Sequence, residues 1–304
     1  LARLADADVP GAHPRDWYGL AAPSSDAPLW TPDDGAVVLS PSNVDALTRC
    51  SLRWLLERNG GRDGDGTPAL TGSLVHTLVQ AVAGELDPTE VTEALRAIWD
   101  RVDTGAGWYS ARELERAESM LVNFREWLRI SRSDLDEVGV ELAVDATIPA
   151  TPDDPAVRLR GRMDRLERDG AGRPVVVDVK TAKTPISKAD AQDHAQLAAY
   201  QVALAHGGLT GGGLTGADDA VVSAEPGGAR LVYVSSANRN SGAAERVQAP
   251  LSPELLDEWI TVVRHAARAS IGPVYAATPN PGCGHCALAA SCPAQIRGKA
   301  VTDD

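Results

Sequence analysis

The chain has 304 residues, of which 43% are hydrophobic and 23% charged, and this composition excludes collagen-like, disordered and membrane-spanning proteins. Its 29 basic and 42 acidic residues give a formal net charge of −13, so it does not coat nucleic acid by overall charge, and any nucleic-acid contact must be local. No apolar run is long enough for a membrane helix and the N-terminus lacks a signal-peptide core, so we expect a cytoplasmic protein with no membrane partner.

The first part of the chain is predicted to be helical. Residues 1–36 are rich in Pro, Asp and Ala, which indicates a linker or an irregular arm. A helix with a Ser cap and a Gly stop is predicted between residues 39 and 61, and it places Cys50 within a helix. Apolar residues at helical spacing predict further helices at 71–86, 89–102 and 111–130.

The pattern then changes to β-branched runs, which predict three successive strands at 138–148, 156–168 and 173–182. A long helix at 187–206, a Gly-rich loop at 207–219 and a strand at 229–236 follow. The last predicted helix, at 252–270, leads into a loop at 279–295. The order of elements indicates an α/β fold.

Three charged residues follow the β-branched runs. Asp178 and Lys180 are two apart, so they project from the same face of a strand, and a hairpin with the preceding strand brings Asp164 beside Asp178. Two converging carboxylates repel each other unless a hard divalent cation such as Mg or Mn lies between them. Such a cation polarises a phosphoryl oxygen and activates water, which is phosphodiester hydrolysis chemistry. The alternative is that these are surface charges, but the apolar run before Asp178 makes an unpaired charge there expensive.

Four motifs occur in order along the chain. They are G-S-L-V-H with His76, G-R-M-D with Asp164, V-D-V-K with Asp178 and Lys180, and Q-L-A-A-Y with Gln196 and Tyr200. Over residues 39–297 this set resembles the RecB-type nucleases of the PD-(D/E)xK superfamily. The resemblance implies a restriction-endonuclease-like core, in which a mixed central sheet is flanked by helices, with a helical N-terminal block and a Cys-bound C-terminal tail.

The resemblance also assigns roles to single residues. It implies that His76, Asp164 and Asp178 bind the catalytic Mg or Mn and that Lys180 assists the attacking water. It places Gln196 and Tyr200 beside the site, and their spacing of four puts them on one helix face. Glu141 matches a further acidic position without a tight motif, so its role in the site stays open. His76 taken alone is more typical of an ordinary histidine on an amphipathic helix, and only the resemblance favours a metal ligand.

Three of the four cysteines form a compact group, Cys283-x2-Cys286-x5-Cys292, and Pro293 follows. Cys50 is the fourth, and it has no nearby Cys or His partner of the kind found in structural zinc sites. The arrangement resembles the iron-sulfur staple of AddB-type helicase-nucleases, which implies a 4Fe-4S cluster held by Cys50, Cys283, Cys286 and Cys292. Zinc and unmetallated thiols remain alternatives.

The chain contains no G-x-x-x-x-G-K-[ST] motif, so we expect no P-loop ATPase of its own. The resemblance implies a nuclease module of an AdnAB or AddAB motor, with AdnAB favoured by the Ala-rich and Arg-rich composition. Residues 1–36 are then an arm from a preceding UvrD-like helicase region of the same chain, and 37–304 are the nuclease domain. Its expected partners are single-stranded DNA fed from a duplex end and a second helicase-nuclease subunit, in double-strand break resection. The alternative is a catalytically silent iron-sulfur scaffold that binds DNA or a helicase.

Basic residues cluster around the predicted site despite the acidic balance of the chain. We expect them to form a short funnel for single-stranded DNA. The residues are Arg158, Arg160, Arg162, Arg165, Lys180, Lys183 and Lys188.

Overall fold

The computed structural model describes residues 2–7, 9–10, 12–13, 27–61, 88–99, 101, 106–209 and 225–295. The predicted helix at 71–86, with His76, lies outside these residues. So does the predicted Gly-rich loop beyond residue 209. No helix among the described residues is long and apolar enough to span a membrane.

A mixed six-stranded sheet forms the centre of the domain. Its strands are β1 (Val37–Leu39), β2 (Leu135–Ile148), β3 (Val157–Asp169), β4 (Pro174–Lys180), β5 (Ala229–Asn238) and β6 (Gly242–Gln248). The order is β1-β3-β4-β5-β6, and β2 pairs with β3. The β1–β3 and β4–β5 pairs are parallel, whereas the other pairs are antiparallel.

The helices lie at both faces of this sheet and at the start of the chain. They are α1 (Ala2–Asp6), α2 (Pro41–Arg49), α3 (Ser51–Arg58), α4 (Pro88–Trp99), α5 (Gly107–Ser131), α6 (Lys188–Gln192), α7 (Ala195–Ala205) and α8 (Pro253–Ile271).

Two apolar cores join the helices to the sheet. Helices α2, α7 and α8 cover one face, where Leu47, Leu197 and Val263 pack with sheet residues such as Leu159. Helices α4 and α5 cover the other face through Leu95 and Phe124, among others. The described residues therefore form a mixed sheet between two helical layers, which confirms the predicted α/β fold class.

Two predicted helices are interrupted where a residue with extended backbone angles precedes a new helix start. Cys50 adopts extended backbone angles (φ −167°, ψ 109°) between α2 and α3, and its Sγ accepts a hydrogen bond from Arg53 N at 3.5 Å. The prediction of Cys50 inside one continuous helix is therefore wrong. The helix expected at 187–206 is likewise divided, because Asp193 and His194 leave the helical conformation before α7 begins.

The sequence patterns missed two short strands. Strand β1 has three residues, too few for a periodic pattern, and it forms by parallel pairing with the start of β3. Strand β6 reads GAAERVQ, which lacks a β-branched run, and its antiparallel partner β5 holds it in the sheet. Tertiary pairing decides both elements.

The last part of the N-terminal arm packs on this domain. Leu29 N donates a hydrogen bond of 2.7 Å to Ile271 O at the end of α8, and Trp30 packs against the core that contains α2 and α8. This contact anchors the chain immediately before β1.

Candidate active site

The site lies where β3 changes from one hydrogen-bonded partner strand to another. On the side of β3 away from β2, β1 pairs with residues 157–159 and β4 pairs with residues 165–168. Among the described strands, none pairs on that side with residues 160–164. The start of α2 approaches this gap, since a Cβ added to Gly161 would lie 3.2 Å from Pro41 Cδ. The gap opens the sheet beside Asp164.

The two predicted carboxylates meet at the end of the β3–β4 ladder. Arg165 pairs with Val177, so the next step of the ladder places Asp164 opposite Asp178. Asp164 Oδ2 accepts a hydrogen bond of 2.7 Å from Val179 N, and this bond joins the strands where their ladder ends. Asp178 is buried, with 4% of its surface exposed. The hairpin prediction that brings Asp164 beside Asp178 agrees with this register.

Asp178, Lys180 and Gln196 form a closed ring of polar contacts. Lys180 Nζ lies 2.7 Å from Asp178 Oδ2 and donates to Gln196 Oε1 at 3.0 Å. Gln196 Nε2 in turn donates to Asp178 Oδ1 at 2.6 Å. Because Gln196 is in the first turn of α7, the ring fixes this helix against the end of β4. All three side chains are held in one orientation.

Lys180 is a cation in this arrangement. Burial lowers the pKa of its ammonium, but the charge and hydrogen bond of Asp178 and the charge of Asp164 raise it, and the net shift is upward. One positive charge therefore faces two negative charges. Two carboxylates that lie this close supply the hard oxygen donors that a divalent cation prefers.

Tyr200 supports the β3 side of the gap from one turn further along α7. Its hydroxyl donates a hydrogen bond of 2.8 Å to Arg162 O, two residues before Asp164. Burial raises the pKa of the Tyr200 hydroxyl strongly, and the charges of Asp178 and Asp164 add to the effect, so the hydroxyl stays protonated. The structure brings Gln196 and Tyr200 to the same face of α7, as their spacing predicts.

Glu141 lies on β2, the neighbour of β3 on the side away from β4, and it is close to Asp164. Its neighbours Val140 and Leu142 pair with Arg165 and Met163, so it is opposite Asp164 in the register. Its backbone φ of 53° is in the left-handed region, which a non-glycine residue rarely adopts without a local reason. Its carboxylate lies 3.1 Å from Arg162 Nη1. The structure thus places Glu141 beside the site, facing an arginine.

A third metal ligand is not found within the described residues. No three His, Cys, Asp or Glu side chains among them converge on a single metal position. His76, which the sequence assigns to this role, lies outside the described residues. Asp164 and Asp178 are therefore the two predicted ligands whose position the structure gives.

Two side chains on α5 and β5 contact the chain directly after Lys180, and no sequence motif identified them. Arg116 Nη2 donates to Thr181 O at 3.0 Å and to Ser235 Oγ at 3.3 Å, and Ser235 Oγ also donates to Thr181 O at 2.7 Å. Arg116 Nη1 is held by buried Glu113 at 3.1 Å. These contacts fix the C-terminal end of β4 from the opposite face of the sheet.

His194 is a further buried polar residue next to the ring. It precedes α7, has 8% of its surface exposed, and its Nδ1 has no hydrogen-bond partner among the described residues. Burial is the main cause that lowers the pKa of its imidazole, with Asp45, Lys180, Arg49 and Asp178 as the charged groups around it. The imidazole is therefore neutral at pH 7.

The four cysteines line one pocket. They are unpaired thiols, with Cys50 buried at the α2–α3 junction and the other three in the C-terminal turns Pro281–His285 and Ala289–Ser291 or directly after them. Asn280 N donates to Cys283 Sγ at 3.3 Å, as Arg53 N does to Cys50 Sγ. Ala276 N donates to Ser51 Oγ at 3.0 Å, which ties the tail to the start of α3. The four sulfurs thus line one pocket, but within the described residues they do not converge on a single metal position.

One residue of the predicted basic funnel is placed elsewhere. Arg165 has 2% of its surface exposed and forms ion pairs with Glu167 and Glu137. It faces the core because it lies opposite Val177 in the β3–β4 ladder. The inclusion of Arg165 in a DNA-facing funnel is therefore wrong.

The chain was compared with solved structures, curated proteins and families of known proteins. A solved structure titled "Crystal structure of SSO0001" is 18% identical and aligns over 86% of this chain and 87% of that one, with a TM-score of 0.37. The curated proteins contain no match. The sequence profile of the PD-(D/E)XK nuclease superfamily matches residues 38–293, which is most of the chain and includes Asp164, Asp178 and Lys180. The chain belongs to the PD-(D/E)XK nuclease superfamily.

Proposed function

We propose that the chain is a Mg- or Mn-dependent deoxyribonuclease that hydrolyses phosphodiester bonds, mainly in single-stranded DNA. The observation that carries this proposal is the ring of Asp178, Lys180 and Gln196 beside Asp164, at the open gap in the sheet. A buried carboxylate, held against a lysine and beside a second carboxylate, brings like charges close together, and a bound cation would offset their repulsion. A cation-binding role explains the arrangement.

In this proposal Asp164 and Asp178 hold the divalent cation, and His76 is its third protein ligand. The cation, when bound, supplies polarisation of a phosphoryl oxygen and lowers the pKa of a nearby water. Protonated Lys180 stabilises negative charge on the phosphate and orients the water, since its raised pKa excludes a role as a neutral base at pH 7. Gln196 and Tyr200 hold the ring and the β3 backbone in place.

Glu141 has a lesser part in the proposal. Its position opposite Asp164 allows it to bind a water ligand of the cation, and its contact with Arg162 holds it there. Its left-handed backbone angle sets the direction of this side chain.

We also propose that Cys50, Cys283, Cys286 and Cys292 hold a 4Fe-4S cluster. All four line one pocket, and two of the sulfurs accept backbone N–H bonds of the kind that tune such clusters. A cluster there closes a loop of chain that contains strands β2 to β6, because Cys50 precedes these strands and the other three cysteines follow them. Zinc remains the alternative occupant.

The proposed setting is cytoplasmic and rests on the sequence alone. It is a helicase-nuclease motor of the AdnAB or AddAB kind, in which a UvrD-like helicase region of the same chain and a second subunit feed single-stranded DNA from a duplex end during double-strand break resection. Its support is the order of the four motifs and the cysteine spacing. The second candidate function is a catalytically silent iron-sulfur scaffold for DNA or a helicase, and the intact polar ring favours the nuclease over it.

The test is cleavage of a labelled single-stranded DNA with Mg or Mn by the parent and by Asp178→Ala. We expect cleavage by the parent and a loss of about 100-fold or more in the variant, which exceeds the effect of removing a supporting group. Asp257→Ala, an exposed position on α8, is the matched control and should cut like the parent. Equal cleavage by Asp178→Ala and the parent would contradict the proposal. Absence of cleavage by the parent, with helicase chains added, would favour the silent scaffold.

A further inference from the structure

Two fully buried glutamines join α7 to the end of β6. Gln201 lies on α7, one residue after Tyr200, and Gln248 is the last residue of β6, with exposed fractions of 0% and 1%. Gln201 Nε2 donates to Gln248 Oε1 at 2.9 Å and to Ala249 O at 3.2 Å. Gln201 Oε1 accepts from Leu251 N at 3.1 Å. We call this pair, Gln201 and Gln248, the glutamine clasp.

The amide of Gln248 reaches the break between α6 and α7. Its Nε2 donates to Gln192 O at 2.8 Å and to His194 O at 3.2 Å, so one side-chain amide holds a carbonyl on each side of Asp193. In a continuous helix the carbonyl of residue 192 would accept from the backbone N–H of Gln196. Here Gln248 donates to that carbonyl, at the point where one helix ends and the next begins.

The start of α7 determines how Gln196 meets the polar ring. Gln196 is in the first turn of α7, two residues after His194, and there it bonds both Asp178 and Lys180. Gln201 is about 140° further around the same helix, so the clasp and the ring hold different sides of α7. A shift of α7 at the clasp therefore displaces Gln196 from its partners.

Covering the core does not require polar side chains at these positions. Two apolar side chains of similar size would fill the same space, whereas a buried glutamine loses rotamer freedom and needs a partner for each polar group. In the clasp both amide nitrogens and both amide oxygens have such partners. A fully bonded polar network specifies one position of the elements that it joins.

We propose that Gln248 is a positioning residue for the active site, which fixes the start of α7 and thereby the direction in which Gln196 meets Asp178 and Lys180. This inference rests on the proposed nuclease function. Gln248 acts through Gln196, whereas Arg116 holds the chain after Lys180 from the opposite face of the sheet. The clasp thus extends the machinery of the site to β6, which contributes no side chain to the ring.

The experiment is a double-mutant cycle between Gln248 and Gln196, with cleavage of single-stranded DNA in Mg or Mn as the first readout. Gln248→Met retains the size of the side chain and removes both donors. We expect it to lower kcat by about 10-fold with little change in KM, because it misplaces Gln196 and leaves DNA contacts in place. In a Gln196→Ala background the same substitution should lower kcat by no more than about 2-fold, since residues that act as a unit are not additive.

Asn123→Leu is the matched control for loss of a buried amide bond. Asn123 Nδ2 donates to Val234 O at 2.8 Å from α5, at the other face of the sheet. Its substitution should change kcat by the same small factor in both backgrounds, because residues without a shared partner are additive.

Acylation of Lys180 by an N-hydroxysuccinimide ester, measured by mass spectrometry, is the second readout and needs no cleavage. Because Gln196 holds Lys180 in the ring, Gln248→Met should speed this reaction by about 3-fold or more. Gln196→Ala should speed it to a similar extent, and the double variant should react no faster than Gln196→Ala. Asn123→Leu should react like the parent.

An unchanged kcat in Gln248→Met would overturn the inference, and so would equal losses of kcat in the two backgrounds. A parent that never cuts DNA would reject the nuclease, and acylation of Lys180 then decides the inference: equal rates in the parent and Gln248→Met would overturn it. Thermal melting checks that the variants fold. Gln201→Met, which breaks the other half of the clasp, replaces Gln248→Met if that variant does not fold.

Discussion

The backbone N–H of Val179 donates a 2.7 Å hydrogen bond to the Asp164 carboxylate, at the point where the β3–β4 ladder ends. A side chain thus takes the place of a strand carbonyl, and it fixes Asp164 opposite Asp178. The bond joins a structural role to the proposed cation-binding role in one residue.

These two roles are separable by two substitutions at Asp164. Asparagine retains an oxygen that accepts from Val179, whereas alanine removes it, so Asp164→Ala should lose about 1–3 kcal/mol of stability and Asp164→Asn less. Both variants should lose DNA cleavage by about 100-fold or more, because both lack the charge that binds the cation. Thermal melting and cleavage rates measure the two effects. Retained cleavage in Asp164→Asn would remove Asp164 from the set of cation ligands.

Gln196 is both donor and acceptor within the polar ring. Glutamate at this position still accepts from Lys180 but cannot donate to Asp178, and it adds a negative charge. We expect Gln196→Ala to lower kcat by about 10-fold to 100-fold, and Gln196→Glu to lower it further at pH 7. Gln192→Glu, on the preceding short helix, is a control for the charge change. A Gln196→Glu rate at or above that of Gln196→Ala would show that the ring needs only an acceptor.

Arg116 is a positioning residue in this scheme, since it contacts the Thr181 carbonyl and not the carboxylates. Arg116→Ala should lower kcat by about 10-fold with little change in KM, because loss of the contact shifts the end of β4 rather than a DNA contact. Arg116→Lys should restore part of the rate through a hydrogen bond to the Thr181 carbonyl. Arg112→Ala, exposed one turn earlier on α5, is the control. A rise in KM with unchanged kcat would identify Arg116 as a DNA contact instead.

His194 should make the folded protein sensitive to mild acid. Burial is the main cause that lowers the pKa of its imidazole from 6.5 in the folded protein. Below pH 6.5 the unfolded chain therefore binds more protons at this residue than the folded chain does. The free energy of unfolding should therefore fall with decreasing pH, by up to about 1.4 kcal/mol per pH unit from this residue. Urea unfolding of the parent and of His194→Gln between pH 7.5 and 5 tests it. Identical slopes for the two proteins would show that His194 is not the group concerned.

The sequence predicted the centre of the site better than its surroundings. Asp178 and Lys180 lie two apart after an apolar run, and a strand imposes their common direction without help from the rest of the fold. Gln196 and Tyr200 share a helix face for the same local reason. Which residues share a face depends only on the repeat of one helix or strand, and that repeat is visible in the sequence.

Contacts between distant elements had no such local signal. Arg116 reaches the end of β4 from α5, across 65 residues of chain, and nothing near it in sequence marks that contact. The burial of Arg165 follows from its pairing with Val177 and from partners on β2. The break at Cys50 was missed because an apolar periodicity continues through it, while its sulfur caps the next helix.

Cys50 provides the sharpest test of the iron-sulfur proposal, because its sulfur also caps α3. Serine is a good N-cap residue, so Cys50→Ser retains the hydrogen bond from Arg53 but lacks the thiolate. If Cys50 binds a 4Fe-4S cluster, the purified variant should lose the visible absorbance of the parent. It should also melt about 5 °C or more lower, since the start of α3 is no longer tied to the C-terminal cysteines. If the sulfur acts only as a cap, the variant should melt at or above the parent's temperature with an unchanged spectrum. Metal analysis of the parent distinguishes zinc from an iron-sulfur cluster. Zinc gives no visible absorbance, but its loss from the variant would also lower the melting temperature.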